Sequence, residues 1–81
     1  MVGPMGTEFT GILKGTGAKM KAEVAEGVVL FRGQWKAEVP FAEITPEVRG
    51  TLLVLSCRGN VVEVSAGSKA AKLAARIRKG V

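Results

Sequence analysis

The chain contains no histidine, no tyrosine and no aspartate. Each absence removes chemistry. Without histidine, a Ser–His or Cys–His nucleophile–base pair cannot form, and general acid–base work falls to glutamate or lysine. The seven glutamates show no spacing in the sequence that forces two carboxylates together. A single cysteine, Cys57, excludes an intramolecular disulfide and any cysteine-pair zinc site. Within the run Leu52-Leu53-Val54-Leu55-Ser56-Cys57 that thiol reads as a small buried apolar group, suited to a reducing, cytoplasmic setting. No catalytic residue, metal or cofactor is implied, and an enzyme is not expected. Nothing approaches the roughly 18 consecutive apolar residues of a membrane span. The start of the chain has neither the charge nor the apolar stretch of a signal peptide, so export is not expected and residues 1–7 read as a flexible lead-in.

Aromatic residues make up only 5% of the chain, so the core must come from Val, Leu, Ile and Phe, with one Trp. With 81 residues there is one domain, over residues 8–81, and its core must be efficient. The eleven glycines fall mostly between apolar segments, where turns belong.

Six short segments precede one helical pattern. The first is residues 8–14, closed by Gly15-Thr16-Gly17. Gly11, Gly15 and Gly17 do not make a phosphate loop, because no Gly-Lys-Ser/Thr opens a helix there; a hairpin turn is expected. In the second, residues 18–24, Met20, Ala22 and Val24 alternate with Lys19, Lys21 and Glu23, the period of a half-buried strand. The third, residues 28–32, is nearly all apolar and is expected to be central or covered on both faces. The fourth, residues 35–41, places Trp35, Ala37, Val39 and Phe41 on one face, and Pro40 requires an edge or a strand end. Residues 42–50 break the pattern; Thr45-Pro46-Glu47 resembles a helix start, and a short helical turn or a loop is expected. Segments five (51–57) and six (61–65) flank Gly59-Asn60, read as a two-residue hairpin turn.

Ser68 is then a good N-cap for a helix from Lys69 to about Lys79, ended by Gly80. At about 100° per residue, Ala70, Leu73, Ala74 and Ile77 form one stripe, extended by Val81; Lys69, Lys72, Arg76 and Lys79 form another. Strands followed by one helix imply an α+β, mainly β fold: a small antiparallel sheet or partial barrel of six to seven strands, capped by the C-terminal helix.

Taken together, the hairpin Val29-Leu30-Phe31-Arg32-Gly33-Gln34-Trp35-Lys36, the strand end Val39-Pro40-Phe41-Ala42-Glu43-Ile44 and the helix start Ala66-Gly67-Ser68-Lys69-Ala70-Ala71-Lys72-Leu73 resemble small bacterial domains of the pleckstrin-homology-like (PH-like) type. The likeness covers roughly residues 8 to 79. It implies seven strands and a C-terminal helix, so beyond the six a strand is missing, hidden or split: either the first segment contributes a further piece or residues 42–50 pair. It carries over no catalytic residue, and such folds scaffold lipid, peptide and protein binding alike.

The net charge of +5 permits attraction to acidic partners. The basic helix stripe has a plain explanation in solvation, with Arg76, Arg78 and Lys79 also favoured by the helix dipole. Three functional expectations follow. The first is a non-enzymatic module binding a protein or peptide through the sheet edge beside the helix, with Arg32, Trp35, Lys69, Lys72, Arg76 and Lys79 as partner- or anion-binding candidates. Trp35, at a strand start, is the aromatic expected to be partly exposed. The second is a nucleic-acid or acidic-surface binder using the helix stripe. The third is a homodimer through a sheet edge, with segment one or the Pro40 strand as the edge.

Overall fold

A computed structural model describes residues 7–79. Seven strands come first: β1 (Thr7–Leu13), β2 (Lys19–Val24), β3 (Val28–Gly33), β4 (Ala37–Pro40), β5 (Thr45–Arg49), β6 (Leu52–Cys57) and β7 (Asn60–Ser65). Helix α1 (Ala70–Lys79) follows a 3-10 turn at Gly67–Lys69. All strand pairs are antiparallel, in the order β4-β3-β2-β1-β7-β6-β5. Two meanders thus share one sheet, joined where the first strand meets the last, and the sheet curls into a half-barrel.

The alternation that marks each strand also sorts its side chains. Met20, Ala22 and Val24 point into the concave face with Val29, Phe31, Val39, Leu53, Leu55, Val62 and Val64, and all are buried. The helix closes that face with Ala70, Leu73, Ala74 and Ile77. It packs chiefly on β5, β6 and the 3-10 turn Phe41–Glu43. A helix of this length is marginal alone in water, so burial of this stripe is what holds it.

Several expectations change. The stretch after segment four is not a loop but follows the other alternative, pairing of residues 42–50: Thr45–Arg49 is a fifth strand in chain order and the seventh of the sheet. Pro46 lies within it, opposite Leu55, instead of starting a helix. This is allowed because β5 is an edge strand, where a missing N–H costs no ladder bond. Pro40 likewise sits on an edge, β4, as its chemistry requires. Segment one is not an edge. It is the centre of the sheet, pairing β2 on one side and β7 on the other. Segment three pairs on both sides, yet the outer side chains of Val28 and Leu30 stay half-exposed, with no second layer over them.

Segment four is shorter than its alternation suggested. Trp35 lies in the turn before β4 and Phe41 begins the 3-10 turn, though both pack toward the core. The β6–β7 turn is Arg58-Gly59, one residue earlier than expected, with Cys57 opposite Asn60 and the Asn60 amide donating to the Arg58 carbonyl at 3.3 Å. Ser68 does not precede the helix but sits inside the 3-10 turn leading into it, where backbone bonds such as Lys69 N–H to the Ala66 carbonyl, 3.1 Å, set the entry. The glycine-rich 14–18 stretch is a hairpin turn, closed by Leu13 N–H donating to the Ala18 carbonyl at 2.8 Å. Strand β1 begins at Thr7, the last residue of the expected lead-in; the rest of that lead-in, and Gly80 and Val81, lie outside the described residues.

Two glycines are fixed by close approach. At Gly11 a Cβ would stand 3.0 Å from the Glu63 carbonyl oxygen, at the point where β1 begins to pair on both sides. At Gly33, φ is +139° and a Cβ would lie 2.6 Å from the Lys19 carbonyl oxygen and 2.9 Å from Met20 Sδ. Gly33→Ala should therefore destabilise the fold by about 2 kcal/mol or more. Ile77→Ala should lose about 2–5 kcal/mol by leaving a cavity under the helix. Urea unfolding curves test both, and an unchanged midpoint for Ile77→Ala would mean that the helix does not close the core.

Candidate functional site

Charge is segregated along the chain. All seven glutamates precede Ser65, and the same stretch holds seven lysines and arginines, so the sheet region is formally neutral. The remaining five cations, Lys69, Lys72, Arg76, Arg78 and Lys79, lie on the last 3-10 turn and α1, which contain no acidic residue. The helix region therefore carries the entire net charge of +5. Lys69, Lys72, Arg76 and Lys79 are exposed, on the side away from the buried Ala70, Leu73, Ala74 and Ile77. Those four sequence-selected residues are thus brought onto one surface.

Arg78 does something different. Its Nη2 donates to the Pro46 carbonyl at 3.3 Å, tying the helix to the edge of β5. That bond bears on what the edge can do. Arg49 and Leu52 flank the two-residue turn Gly50-Thr51, which makes them a hydrogen-bonded pair. Alternation then aims the backbone groups of Pro46 and Val48 outward. Pro46 has no N–H, and its carbonyl is occupied by Arg78. On β4, Phe41 N–H donates to the Gly27 carbonyl at 3.0 Å, and the same alternation leaves Pro40 and Glu38 facing out. Each edge strand therefore offers one outward N–H, from Val48 or from Glu38. Short, proline-bearing edges of this kind resist strand addition. The sheet edge beside the helix is β5, and its exposed apolar side chain is Val48, 37% accessible.

The other two selected residues lie elsewhere. Arg32 is on the outer face of β3, a strand α1 does not cover, and its guanidinium reaches across β2 to pair with Glu8. Trp35 is half-buried against the core, its ring centroid 5.2 Å from that of Phe31 and tilted by 53°. Its Nε1 is buried without an acceptor among the described residues. Partial exposure of Trp35 is thus found, but the helix basics and the Arg32–Trp35 region do not form one patch.

The outer face also holds a juxtaposition the sequence did not reveal. Glu8 stands directly opposite Glu23, and Lys21 opposite Arg32. Like charges in register oppose pairing, and Arg32 relieves this by bridging to Glu8. The hairpin register between β1 and β2 is the signal that could have found it. Two further surface pairs, Arg58–Glu43 at 3.0 Å and Arg49–Glu47 at 3.3 Å, pin loops and strand ends. Among the described residues, no group of three acidic or sulfur ligands gathers at a metal-binding spacing. No helix among them is long and apolar enough to cross a membrane.

Cys57 is buried at the end of β6, within the core. Burial pushes its thiol pKa above the ordinary value; Glu43 adds to the rise and Arg58 opposes it. The folded state thus favours the neutral thiol. The unfolded chain ionises first as pH rises, so this group leaves stability unchanged at neutral pH and reduces it above the ordinary thiol pKa of about 8.5. Cys57→Ala should flatten the alkaline decline in unfolding free energy. A disulfide reagent should label the native thiol slowly at mildly alkaline pH and quickly in denaturant; equal rates would contradict the burial.

No family model matches the sequence, and no curated protein and no solved structure matches it.

Proposed function

We propose that this chain is a non-enzymatic interaction module of PH-like architecture that binds a protein or peptide at the margin where β5 meets α1. The observation that carries this reading is the segregated charge: a neutral sheet beside a helix region that holds all of the net +5 and no acid. A surface helix needing only solubility would interleave glutamates with its lysines, gaining paired charges three or four residues apart. Val48 adds an exposed apolar side chain beside that surface.

Seven strands and a closing helix, with Phe31-Arg32-Gly33 ending β3 and Pro40-Phe41 leading to Ile44, support the PH-like and bacterial reading. The absence of histidine and aspartate from the whole sequence supports a role without catalysis. A cytoplasmic setting rests on the lone thiol of Cys57, which suits a reducing compartment. Contact is by side chains, since Pro46 and Arg78 blunt the β5 backbone. The same blunting argues against a homodimer built by edge pairing. A nucleic-acid role for Lys69, Lys72, Arg76 and Lys79 draws on the same helix charge.

Site-specific photocrosslinking separates these surfaces. A photoreactive residue in place of Ala75, on exposed α1, should give a discrete protein adduct in cells, and the same residue in place of Lys21, on the outer sheet, should give none. Adducts from the Lys21 position alone, or none from either position, would count against the reading.

A further inference from the structure

We infer that the exposed side of α1 docks an acidic, amphipathic segment of a partner protein, with its carboxylates on Lys72, Arg76 and Lys79 and its apolar side chains over Ala71, Ala75 and Val48. This rests on the interaction-module reading above and names the chemistry of the partner.

The arrangement follows from helix geometry. At about 100° per residue, Ala71 and Ala75 lie between Arg78, which is held to β5, and the outward stripe of Lys72, Arg76 and Lys79. Both alanines are exposed. Their methyl groups thus form a low apolar strip between Arg78, tied to β5, and a row of cations. Val48 extends that strip, because it shares a strand face with Pro46, the residue that Arg78 holds. A ligand matching this strip is apolar along one side and acidic along the other. The cations have no acidic partner within α1 and form no ion pair among the described residues, so a partner's carboxylates would meet charge that those residues do not neutralise.

The same surface fits nucleic acid less well. Single-stranded nucleic acid gains much of its affinity from bases stacking on exposed aromatic rings. Neither α1 nor β5 contains an aromatic residue. Phe31 and Phe41 are buried, and Phe9 and Trp35 are half-buried against the core. A phosphate backbone would also gain nothing from the methyl groups of Ala71 and Ala75. Strand addition by a peptide is opposed at the β5 edge, where Pro46 offers no N–H and no free carbonyl.

The test is fluorescence anisotropy with the full chain and three labelled probes: a designed helical peptide with a glutamate face beside a leucine face, its lysine-for-glutamate counterpart, and a single-stranded DNA oligomer. At about 50 mM salt, where surface charge is weakly screened, the acidic peptide should bind and the basic one should not. Binding should weaken steeply with added salt. The double change Lys72→Glu and Arg76→Glu should weaken it about tenfold or more, with the circular dichroism spectrum unchanged. Val48→Ser, which removes the apolar side chain at the β5 margin without adding charge, should weaken it several-fold. The inference is overturned if DNA binds as tightly as the acidic peptide, if neither change alters peptide binding, or if no peptide binds at low salt. Should the probe fail while photocrosslinking from the Ala75 position succeeds, the partner chemistry is wrong and the module reading survives. Should both fail, the module reading falls too.

Discussion

Burial of Leu73 and Ile77 under the curled sheet is the contact on which the rest of the molecule depends. A half-barrel has a concave apolar face that must be closed, and a ten-residue helix needs tertiary packing to persist. Each solves the other's problem. Ala70 and Ala74, on the same stripe, are small enough to bring the helix axis close to β5 and β6. Full burial of a Leu or Ile side chain stabilises by about 1.5–3 kcal/mol, a large contribution for a chain of this size. With one side of the helix committed to the core, its opposite side is fixed in space, and with it the whole net charge.

That coupling links fold to function. Lys69, Lys72, Arg76 and Lys79 gain nothing from the core and have no acidic neighbours on their own element. Helix stability explains part of the pattern: Arg76, Arg78 and Lys79 favour the negative end of the dipole, whereas Lys69, near the positive end, does not benefit. Arg78 has a structural task at the Pro46 carbonyl. The other four stand outward beside an edge strand that cannot readily recruit another strand. Recognition at this margin therefore has to come from side chains.

Strand and helix periodicity carried most of the fold. Met20, Ala22 and Val24 declared their strand because nothing interrupts their alternation, and the two helix stripes follow from 100° arithmetic. What was not legible is instructive. Pro46 presets a backbone angle that suits either the first turn of a helix or an open strand edge, so the residue alone does not decide. Ile44, Pro46 and Val48 fall at alternate positions, but the proline interrupts that apolar series, and the pairing partner Leu55 identifies the strand only once β6 is in place. Segment one resembled an edge because it is short of charge, yet it pairs with β7, about fifty positions away, and no local pattern encodes such a contact. The opposition of Glu8 and Glu23 depends on hairpin register, which a glycine-rich turn leaves open. The candidate surface was half visible: the helix cations were readable, but the separation of Arg32 and Trp35 from them, and the capping of the β5 edge by Arg78, required the sheet order.

Amide hydrogen exchange across α1 tests the closing role of the helix most directly. If Leu73 and Ile77 lock the helix to the sheet, amides in the middle of α1 should exchange only through global unfolding, with the same opening free energy as those of β6 and β7. Helix amides that exchange at rates close to those of a free peptide, while the sheet stays protected, would contradict the account.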